Sequence, residues 1–494
     1  MHMWRKVKSF LFTNITTRQT VAKNTFWLAL SNFGGRLIRA VIIIYGARLL
    51  GAAGWGVFSY GVTLAAFLTP FTDVGLSQVL IRETSKNPDP EHRARILSTT
   101  FAIKLVLLVV GIGIVVFLAP LITTIEAAKP LLPIIAFLLA FDSLREFGSA
   151  VIRALERMEW EAGLFLLTNV AIVVFGFVFL AVVPTPASFT YAYTLGTAAG
   201  AAATFFALRK HFPRHFISRF TPALVKPIFA AAWPLSIAAL LGLLMLHTDV
   251  LIIGWLRSAE EVGFYAAAYR IVQLLYLIPA IFAISAFPTF SRLAGRDQPL
   301  MRTALERTLT MVLLMALPLV MGGALLAPQL ITFLFGTEFL PGTGAFSILL
   351  ITLLIDFPVV ILSNALFAYN RPRALTAYAA IGGGANIVLD FLLIPTFGIT
   401  GAAWATLFAQ IASNIYLWSV LKKLNRFSVI PHLKIGLAAA LCMGVVTYGL
   451  FALGVHVIGT IAISAAVYGL ALYFFKEPML KEMRGAILHA QSGK

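Results

Sequence analysis

The sequence is poor in charge and has almost no cysteine, and both shortages limit what the protein can be. Only 12% of its 494 residues are charged, whereas 60% are hydrophobic. A soluble domain does not need so much apolar surface, so the composition predicts a polytopic membrane protein. The single cysteine, Cys442, excludes a disulfide framework and a cysteine-based metal cluster.

The chain also lacks the motifs of nucleotide-driven enzymes. It contains no phosphate-cradling P-loop, no HExxH sequence and no long polar stretch that could form a nucleotide-binding domain. We therefore predict that it is not an enzyme and that it carries no cofactor. Transport would then draw on an ion or voltage gradient, in which a unit charge is worth about 2.3 kcal/mol per 100 mV. This makes Na⁺ or H⁺ the candidate coupling ion.

Acidic residues are scarce, and the basic residues that outnumber them are unevenly placed. The chain has 20 Asp and Glu against 38 Lys and Arg, which gives a net charge of +18. Of the basic residues, 30 fall on alternate connections between apolar segments, together with both termini. By the positive-inside rule this side faces the cytoplasm, so we predict a multi-pass protein of the cytoplasmic (inner) cell membrane. The charge then indicates topology and contact with anionic membrane lipids, not nucleic acid.

The apolar segments predict an all-α membrane fold with 14 transmembrane helices. Their approximate limits are 24–50, 55–81, 96–119, 130–155, 160–183, 187–209, 226–255, 260–288, 304–327, 342–368, 374–395, 399–421, 431–452 and 454–475. An even number of crossings agrees with two cytoplasmic termini.

Parts of the chain resemble one another. GVFSYGV at 56–62 is similar to GFYAAAYR at 263–270, and SAVIRALERMEW at 149–160 is similar to SNALFAYNRPRA at 363–374. The offsets of 207 and 214 residues predict two six-helix lobes related by an internal repeat, plus two C-terminal helices. Such a repeat predicts a substrate site between the lobes near the midplane of the membrane and alternating access by their rocking.

The predicted domains follow from these segments. They are a cytoplasmic amphipathic N-terminal segment at 1–23, an N-lobe at 24–210, a cytoplasmic linker at 211–225, a C-lobe at 226–423, two further helices at 424–475 and a cytoplasmic tail at 476–494.

The first apolar segment carries two arginines near its middle, Arg36 and Arg39. A cation at this depth costs roughly 2.5–3.5 kcal/mol on insertion scales, and residues three apart share one face of a helix. The pair therefore predicts a helix that lines a cationic, water-accessible cavity. The alternative is that both arginines pair with carboxylates and are structural. Arg270 lies at a similar depth in the eighth segment and is a third candidate.

Several stretches resemble the polysaccharide biosynthesis proteins, which are oligosaccharide-lipid flippases of the MOP superfamily. They are ARLLGAAGWGVFSYGVTLAAFLTPFTDVGLSQVLIRETSK at 47–86, its weaker echo at 255–292, and NRPRALTAYAAIGGGANIVLDFLLIPTFGITGAAWATL at 370–407. The resemblance implies export of a polyprenyl-diphosphate-linked oligosaccharide from the cytoplasmic to the outer leaflet. The lipid carrier could be of the bacterial or of the archaeal type. The resemblance also implies three kinds of partner: this lipid-linked substrate, membrane lipids, and the polymerase or ligase proteins of glycan assembly.

The resemblance also suggests roles for individual residues. In the related lipid II flippase, arginines on helices 1 and 8 line the cavity, so Arg36, Arg39 and Arg270 would bind the diphosphate, whose oxygens match guanidinium groups bidentately. The last two helices of that flippase form a groove for the lipid tail, and 424–475 would do the same here.

A second polar cluster is predicted near the outer surface. Asp249, Asp390 and Thr406 lie at a similar predicted depth, and Asn386 is one turn from Asp390. Carboxylate, amide and hydroxyl oxygens are hard ligands that suit Na⁺. The sodium site of the lipid II flippase has a similar pattern, to which Ala402 would add a backbone carbonyl. A buried hydrogen-bond cluster and a proton site are the alternatives.

Five more ionisable residues lie within apolar segments and are candidates for coupling or for balancing charge. They are Asp73, Lys104, Asp142, Arg145 and Asp356. Asp142 and Arg145 share a helix face, which favours an intrahelical ion pair that could also satisfy Lys104. The sequence leaves two other functions open: a cation-coupled exporter of the related multidrug branch, against which the arginines count, and a scaffold for glycan assembly that transports nothing.

Overall fold

The computed structural model describes residues 17–86, 89–210 and 219–479. These residues form helices and turns, and no β-strand occurs among them. Eleven stretches are long and apolar enough to cross a membrane. The prediction of an all-helical polytopic membrane protein is confirmed. Most of the predicted N-terminal segment, linker and tail, at 1–16, 211–218 and 480–494, lies outside the described residues.

The packing of the backbone divides the chain into two compact units. The first is Met1–Leu243 with Ser258–Gly263, and the second is Leu244–Arg257 with Phe264–Lys494. This division falls within a helix, and the domain limits drawn from the sequence stay predictions.

Among the described residues, seven α-helices belong wholly to the first unit. They are α1 (Thr17–Leu68), α2 (Leu76–Lys86), α3 (Pro90–Gly113), α4 (Ala119–Ile122), α5 (Leu132–Ala154), α6 (Met158–Val182) and α7 (Pro186–Leu208). Because α1 begins at Thr17, residues 17–23 continue into the first long helix. Asp89 accepts hydrogen bonds from the backbone N–H groups of Glu91 and His92, and this cap explains why α3 begins at Pro90.

The remaining helices lie in the second unit or begin in the first. They are α8 (Val225–Leu256), α9 (Ala259–Leu275), α10 (Leu277–Leu293), α11 (Gln298–Leu325), α12 (Ala327–Phe335), α13 (Thr343–Ile351), α14 (Leu353–Ala368), α15 (Pro372–Leu424), α16 (Lys434–Ala452) and α17 (Val457–Phe474). Only Val225–Leu243 of α8 and the first five residues of α9 belong to the first unit.

The two longest helices each contain one glycine with a non-helical backbone. Gly51 interrupts α1 at φ 68° and ψ 176°, and Gly398 interrupts α15 at φ 57° and ψ −138°. Residues with a Cβ rarely adopt these angles, so glycine allows the chain to turn here between two helical segments. Both glycines lie near boundaries between predicted apolar segments.

A second kind of break separates α1 from α2. Thr69–Thr72 forms a turn of 3₁₀-helix, after which the N–H groups of Asp73 and Val74 both donate to the carbonyl oxygen of Pro70. Val74 and Gly75 then have positive φ values of 44° and 72°. Proline at the start of the turn cannot donate a helical hydrogen bond, which favours the break. It places Asp73 at the junction of two helices.

Apolar side chains form the core of each unit. In the first unit, Leu76, Leu80, Phe147 and Ile152 are fully buried members of one cluster. In the second, the two C-terminal helices pack on α11, where the Tyr468 hydroxyl donates to the carbonyl oxygen of Leu314 over 2.7 Å.

Candidate anion and cation sites

Arg39, on α1 of the first unit, is supported entirely by neutral groups. Its Nε donates to the side-chain oxygen of Asn169 over 2.7 Å. Its guanidinium carbon lies 5.4 Å from the centre of the Tyr193 ring, within the range of a cation–π interaction. Both contacts orient the guanidinium group and leave its charge in place.

Asn169 is itself fixed in position. It is fully buried, and its Nδ2 donates to the backbone carbonyl of Phe165 over 2.7 Å, which leaves the amide oxygen to accept from Arg39. The close approach of α1 to α6 depends on Gly35. A Cβ at Gly35 would lie 2.8 Å from Asn169 Nδ2 and 2.5 Å from the Phe165 ring. The small residue one turn before Arg39 thus allows the amide to reach it.

Arg36 lies one turn before Arg39 and is exposed. Among residues 17–86, 89–210 and 219–479, no carboxylate forms an ion pair with Arg36 or Arg39. Residues three apart lie on one face of a helix, so the two guanidinium groups are neighbours. Two neighbouring cations without a counter-charge, at this depth in a membrane helix, form a candidate anion site.

The other intramembrane charges of the first unit neutralise one another. Lys104 is fully buried, and its Nζ lies 3.2 Å from Asp73 Oδ1, which also accepts a hydrogen bond from the Ser77 hydroxyl over 2.7 Å. Arg145 lies 3.0 Å from Asp142 and 2.6 Å from Glu146. The predicted ion pair of Asp142 and Arg145 is therefore present, and Lys104 finds its partner in Asp73.

A polar cluster in the second unit joins α8 and α15. Asn386 Nδ2 donates to carboxylate oxygens of both Asp249 and Asp390. The Thr406 hydroxyl is 2.7 Å from Asp249 Oδ2 and 3.0 Å from the carbonyl oxygen of Ala402. All five residues are at least nine-tenths buried. The structure thus brings together every residue of the predicted cation site.

Two further side chains complete this cluster. The Tyr265 hydroxyl, on α9, donates to Asp249 Oδ2 and lies 3.3 Å from the Thr406 hydroxyl. The hydroxyl of Thr248 lies 3.1 Å from Asn386 Nδ2. Neither residue was predicted from the sequence. Tyr265 lies in the stretch GFYAAAYR, whose only polar groups are tyrosine hydroxyls and Arg270, and that contrast was an available signal.

The donor set suits a small cation or a proton. Asp390 Oδ1 is buried and has no hydrogen-bond partner, although its other oxygen accepts from Asn386. Within the part of the chain that the structure describes, no group of three or more His, Cys, Asp and Glu side chains is placed to hold a metal ion. An ion bound here would rely on two carboxylates and neutral oxygens, which is a ligand set for an alkali cation rather than a transition metal.

Asp356 and Arg270, also in the second unit, do not join this cluster. Asp356 Oδ2 accepts a hydrogen bond from the Tyr276 hydroxyl over 2.6 Å, at the turn between α9 and α10. Gln410 and Thr352 also face this carboxyl group. Arg270 Nη1 donates to the side-chain oxygen of Gln273 over 3.2 Å.

The sequence pattern of the family described as "Polysaccharide biosynthesis protein" matches residues 21–294, which is more than half of the 494 residues. The chain belongs to this family. The family consists of transporters rather than enzymes. The predicted family and the prediction that the protein is not an enzyme are therefore both confirmed. A second pattern, MatE, matches residues 234–392.

Two named relatives are similar over most of the chain. The "Probable low-salt glycan biosynthesis flippase Agl15" of Haloferax volcanii is 24% identical over 410 residues, which are 78% of this chain and 80% of the relative. A Shigella flexneri protein described as an O-antigen transporter is 23% identical over 410 residues, 78% of this chain and 93% of the relative.

Solved structures show the same fold. Lipid II flippase MurJ in an inward closed conformation has a TM-score of 0.76 at 18% identity, covering 91% of this chain and 99% of that one. An inward-facing multidrug resistance MATE transporter of the MOP superfamily has a TM-score of 0.58 at 17% identity, covering 80% and 95% of the two chains. At these identities the similarities show a shared fold. The ligands assigned to Arg36, Arg39 and Asp249 stay predictions.

Proposed function

We propose that this family member moves a polyprenyl-diphosphate-linked oligosaccharide from the cytoplasmic to the outer leaflet, by alternating access coupled to an ion or voltage gradient. Relatives in the family are named as glycan and O-antigen transporters, which supports a lipid-linked glycan as substrate. The observation that carries the proposal is the pair of arginines, Arg36 and Arg39, that no carboxylate among the described residues neutralises.

The chemistry of this pair suits a diphosphate. Because Nε of Arg39 bonds to Asn169, the terminal nitrogens of the guanidinium group are the ones available to a ligand. Arginine forks match phosphate oxygens bidentately, and such charge-assisted hydrogen bonds are about twice as strong as neutral ones. A multidrug exporter that extrudes organic cations would instead need a cavity rich in carboxylates. Three carboxylates within the apolar segments of the first unit, Asp73, Asp142 and Glu146, are already paired with Lys104 or Arg145.

Fourteen membrane crossings are part of the proposal. Helix α1 has 52 residues and α15 has 53, so each is about 80 Å long and exceeds twice the roughly 30 Å thickness of the hydrocarbon core. We propose that each crosses twice and turns at Gly51 or Gly398. The eleven candidate stretches count α1 and α15 once each and leave out α7. A second crossing by α1, a second crossing by α15 and one crossing by α7 raise the number to fourteen. Both termini would then face the cytoplasm, as the basic residues predict.

A reciprocal contact supports the proposed internal repeat. A Cβ at Gly56 would collide with the carbonyl oxygen of Ala259, and a Cβ at Gly263 would collide with that of Ala52. All four residues belong to the first unit, and both pairs of equivalent positions differ by 207 residues. This is the offset between GVFSYGV and GFYAAAYR, so each copy makes the same contact with the other. The predicted lobes at 24–210 and 226–423 rest on this repeat.

We assign gradient coupling to the polar cluster of the second unit. Asp249, Asn386, Asp390, Thr406 and the carbonyl oxygen of Ala402 would hold Na⁺ or H⁺, which would supply the positive charge that the two carboxylates lack. Tyr265 donates to Asp249 and keeps one of its oxygens oriented. The orphaned oxygen of Asp390 supports this assignment, because an unpaired buried carboxylate oxygen is costly.

The decisive experiment is lipid transfer in liposomes that contain a fluorescent polyprenyl-diphosphate oligosaccharide. We expect gradient-dependent transfer by the unmodified protein and a fall of about 10²-fold in the variant Arg36→Ala/Arg39→Ala, since each charge-assisted hydrogen bond contributes about 1.5–3 kcal/mol. The variant Arg292→Ala/Arg302→Ala, which removes two exposed arginines, is the matched control and should retain transfer.

The alternatives give different results in the same assay. Exchange of small organic cations without transfer of lipid would establish an exporter. No transfer of either substrate, in protein shown to be folded, would favour a scaffold in glycan assembly. Undiminished lipid transfer in the Arg36→Ala/Arg39→Ala variant would show that the arginines are structural.

Coupling is tested separately with Asp390→Asn. We expect this variant to lose the dependence of transfer on an imposed Na⁺ or H⁺ gradient, while binding of the lipid diphosphate stays within about twofold. Asp297→Asn is the control, because Asp297 only caps α11 and asparagine caps a helix equally well. A variant that responds to both gradients as the unmodified protein does would remove Asp390 from the coupling site.

A further inference from the structure

A groove in the second unit is lined by α11, α14, the end of α15 and the segment 428–433. Its volume is about 570 Å³. Most of the lining is aliphatic, and Ile415 and Ile430 are 64% and 81% exposed within it. Pro358, which lies inside α14, is one of the lining residues. Such a surface suits a hydrocarbon chain and not a sugar.

One end of the groove is positively charged. Lys422 is the one ionisable residue among the described residues that line it. Its Nζ lies 5.8 Å from the centre of the Trp418 ring, and α15 ends two residues later at Leu424. Tryptophan and lysine together at the end of a membrane helix are typical of the interface between hydrocarbon and head groups.

The length of the groove matches one leaflet. Along α15 its lining runs from Ile411 to Lys422, a rise of about 16 Å at 1.5 Å per residue. Half of the roughly 30 Å hydrocarbon core is about the same distance. The groove therefore begins near the middle of the bilayer and ends at the charged interface. A phospholipid chain has this reach, whereas a polyprenyl chain is much longer than one leaflet.

We propose that this groove is a binding site for one anionic phospholipid of the leaflet that Lys422 faces. An acyl chain lies along Ile411, Ile415 and Trp418, and the phosphate group contacts the Lys422 ammonium group. Ser428 also lines the groove and adds a hydroxyl group to its polar lining. This lipid is bound rather than transported, so the site is independent of the proposed flippase activity.

Native mass spectrometry of the full chain tests the site directly. The protein is presented with equal amounts of phosphatidylglycerol and phosphatidylcholine, and the affinity for the first phosphatidylglycerol is measured. Lys422→Gln should weaken it about fivefold, which corresponds to about 1 kcal/mol for one lysine near an anionic head group. Lys423→Gln is the matched control, because Lys423 carries the same charge one position away and does not line the groove. It should change the affinity less than twofold.

A second variant tests the apolar part. Ile411→Trp fills the deep end of the groove and should abolish retention of the first phosphatidylglycerol, with an unchanged helical circular-dichroism spectrum as evidence of folding.

Equal losses of affinity in Lys422→Gln and Lys423→Gln would overturn the proposal in favour of diffuse electrostatic attraction. Equal retention of phosphatidylcholine would show that charge is not recognised. Displacement of phosphatidylglycerol by a lower concentration of polyprenyl phosphate would assign the groove to the transported lipid instead.

Discussion

The first unit contains two regions of intramembrane charge that differ in what surrounds the charge. In one region, Lys104 pairs with Asp73, and Arg145 pairs with Asp142 and Glu146. In the other, Arg39 contacts an amide oxygen and an aromatic ring, and no carboxylate of the described residues pairs with it. In an ion pair the two opposite charges offset each other. A neutral hydrogen-bond partner orients a charged group without offsetting its charge, so the charge stays available to a ligand. The difference separates structural charges from those that can bind a ligand.

In the second unit, a negative charge is surrounded by neutral groups in the way that Arg39 is in the first. Asp249 is surrounded by the neutral donors of Tyr265, Asn386 and Thr406, and no cation forms an ion pair with it among the described residues. Neutral donors stabilise a carboxylate by hydrogen bonds without cancelling its field. The proposed anion site and the proposed cation site would thus share one physical principle, a charge held in place by neutral groups.

The largest expected effect comes from breaking a paired region. Asp73→Ala leaves the fully buried Lys104 without its carboxylate, and we expect a loss of about 3–5 kcal/mol in stability. Thermal unfolding in detergent, followed by circular dichroism, measures it. The double variant Asp73→Leu/Lys104→Met should recover most of the loss, because apolar pairs often replace buried ion pairs at no cost. A single variant as stable as the unmodified protein would refute the structural role of the pair.

An intermediate effect is expected when the neutral support of Arg39 is removed. Asn169→Leu keeps the volume but deletes the amide oxygen, so the affinity for a polyprenyl diphosphate should fall about tenfold, or about 1.4 kcal/mol. Isothermal titration with the lipid in detergent measures this. Thr168→Val removes a buried hydrogen bond of the neighbouring residue and should leave the affinity unchanged. Equal losses in both variants would mean that helix α6, not the amide, matters.

The smallest effect is expected at an exposed ion pair. Arg302 lies 2.9 Å from Glu306 with 54% of its side chain exposed. Arg302→Gln should change stability by less than about 0.5 kcal/mol, since solvent screens such pairs. The same unfolding assay provides the comparison with Asp73→Ala. A loss that approaches the loss in Asp73→Ala would show that burial does not distinguish the two kinds of pair.

The sequence predicted the helical fold because long apolar runs have few physical alternatives. It also located the turn regions at Gly51 and Gly398. The prolines within the apolar segments predict interruptions of the helices, and the structure has a break at Thr69–Gly75 beside Pro70 and an interruption at Tyr276 near Pro279. Pro234, Pro318 and Pro358 instead lie inside helices. A proline permits a break in a membrane helix but does not require one, so only the packed structure decides.

For the candidate sites, the spacing of residues along the sequence predicted contacts within one helix but not contacts between distant parts of the chain. The four-residue spacing of Asn386 and Asp390 predicted one helix face, and the structure places both side chains together. The contact of Arg39 with Asn169 joins residues 130 positions apart, so no spacing could indicate it. Lys104 was associated in the sequence with the group around Asp142, but its partner is Asp73, which the break after α1 brings within reach.

The reciprocal contact of Gly56 and Gly263 bears on the origin of the chain. In a homodimer with two-fold symmetry, residue i of one subunit contacts residue j of the other, and j contacts i in return. The contacts of Gly56 with Ala259 and of Gly263 with Ala52 have this form within a single polypeptide. A half-length ancestor that dimerised and was later fused by gene duplication would leave such a trace. The two glycines would then descend from one residue, and neither copy could acquire a side chain without displacing the backbone of the other.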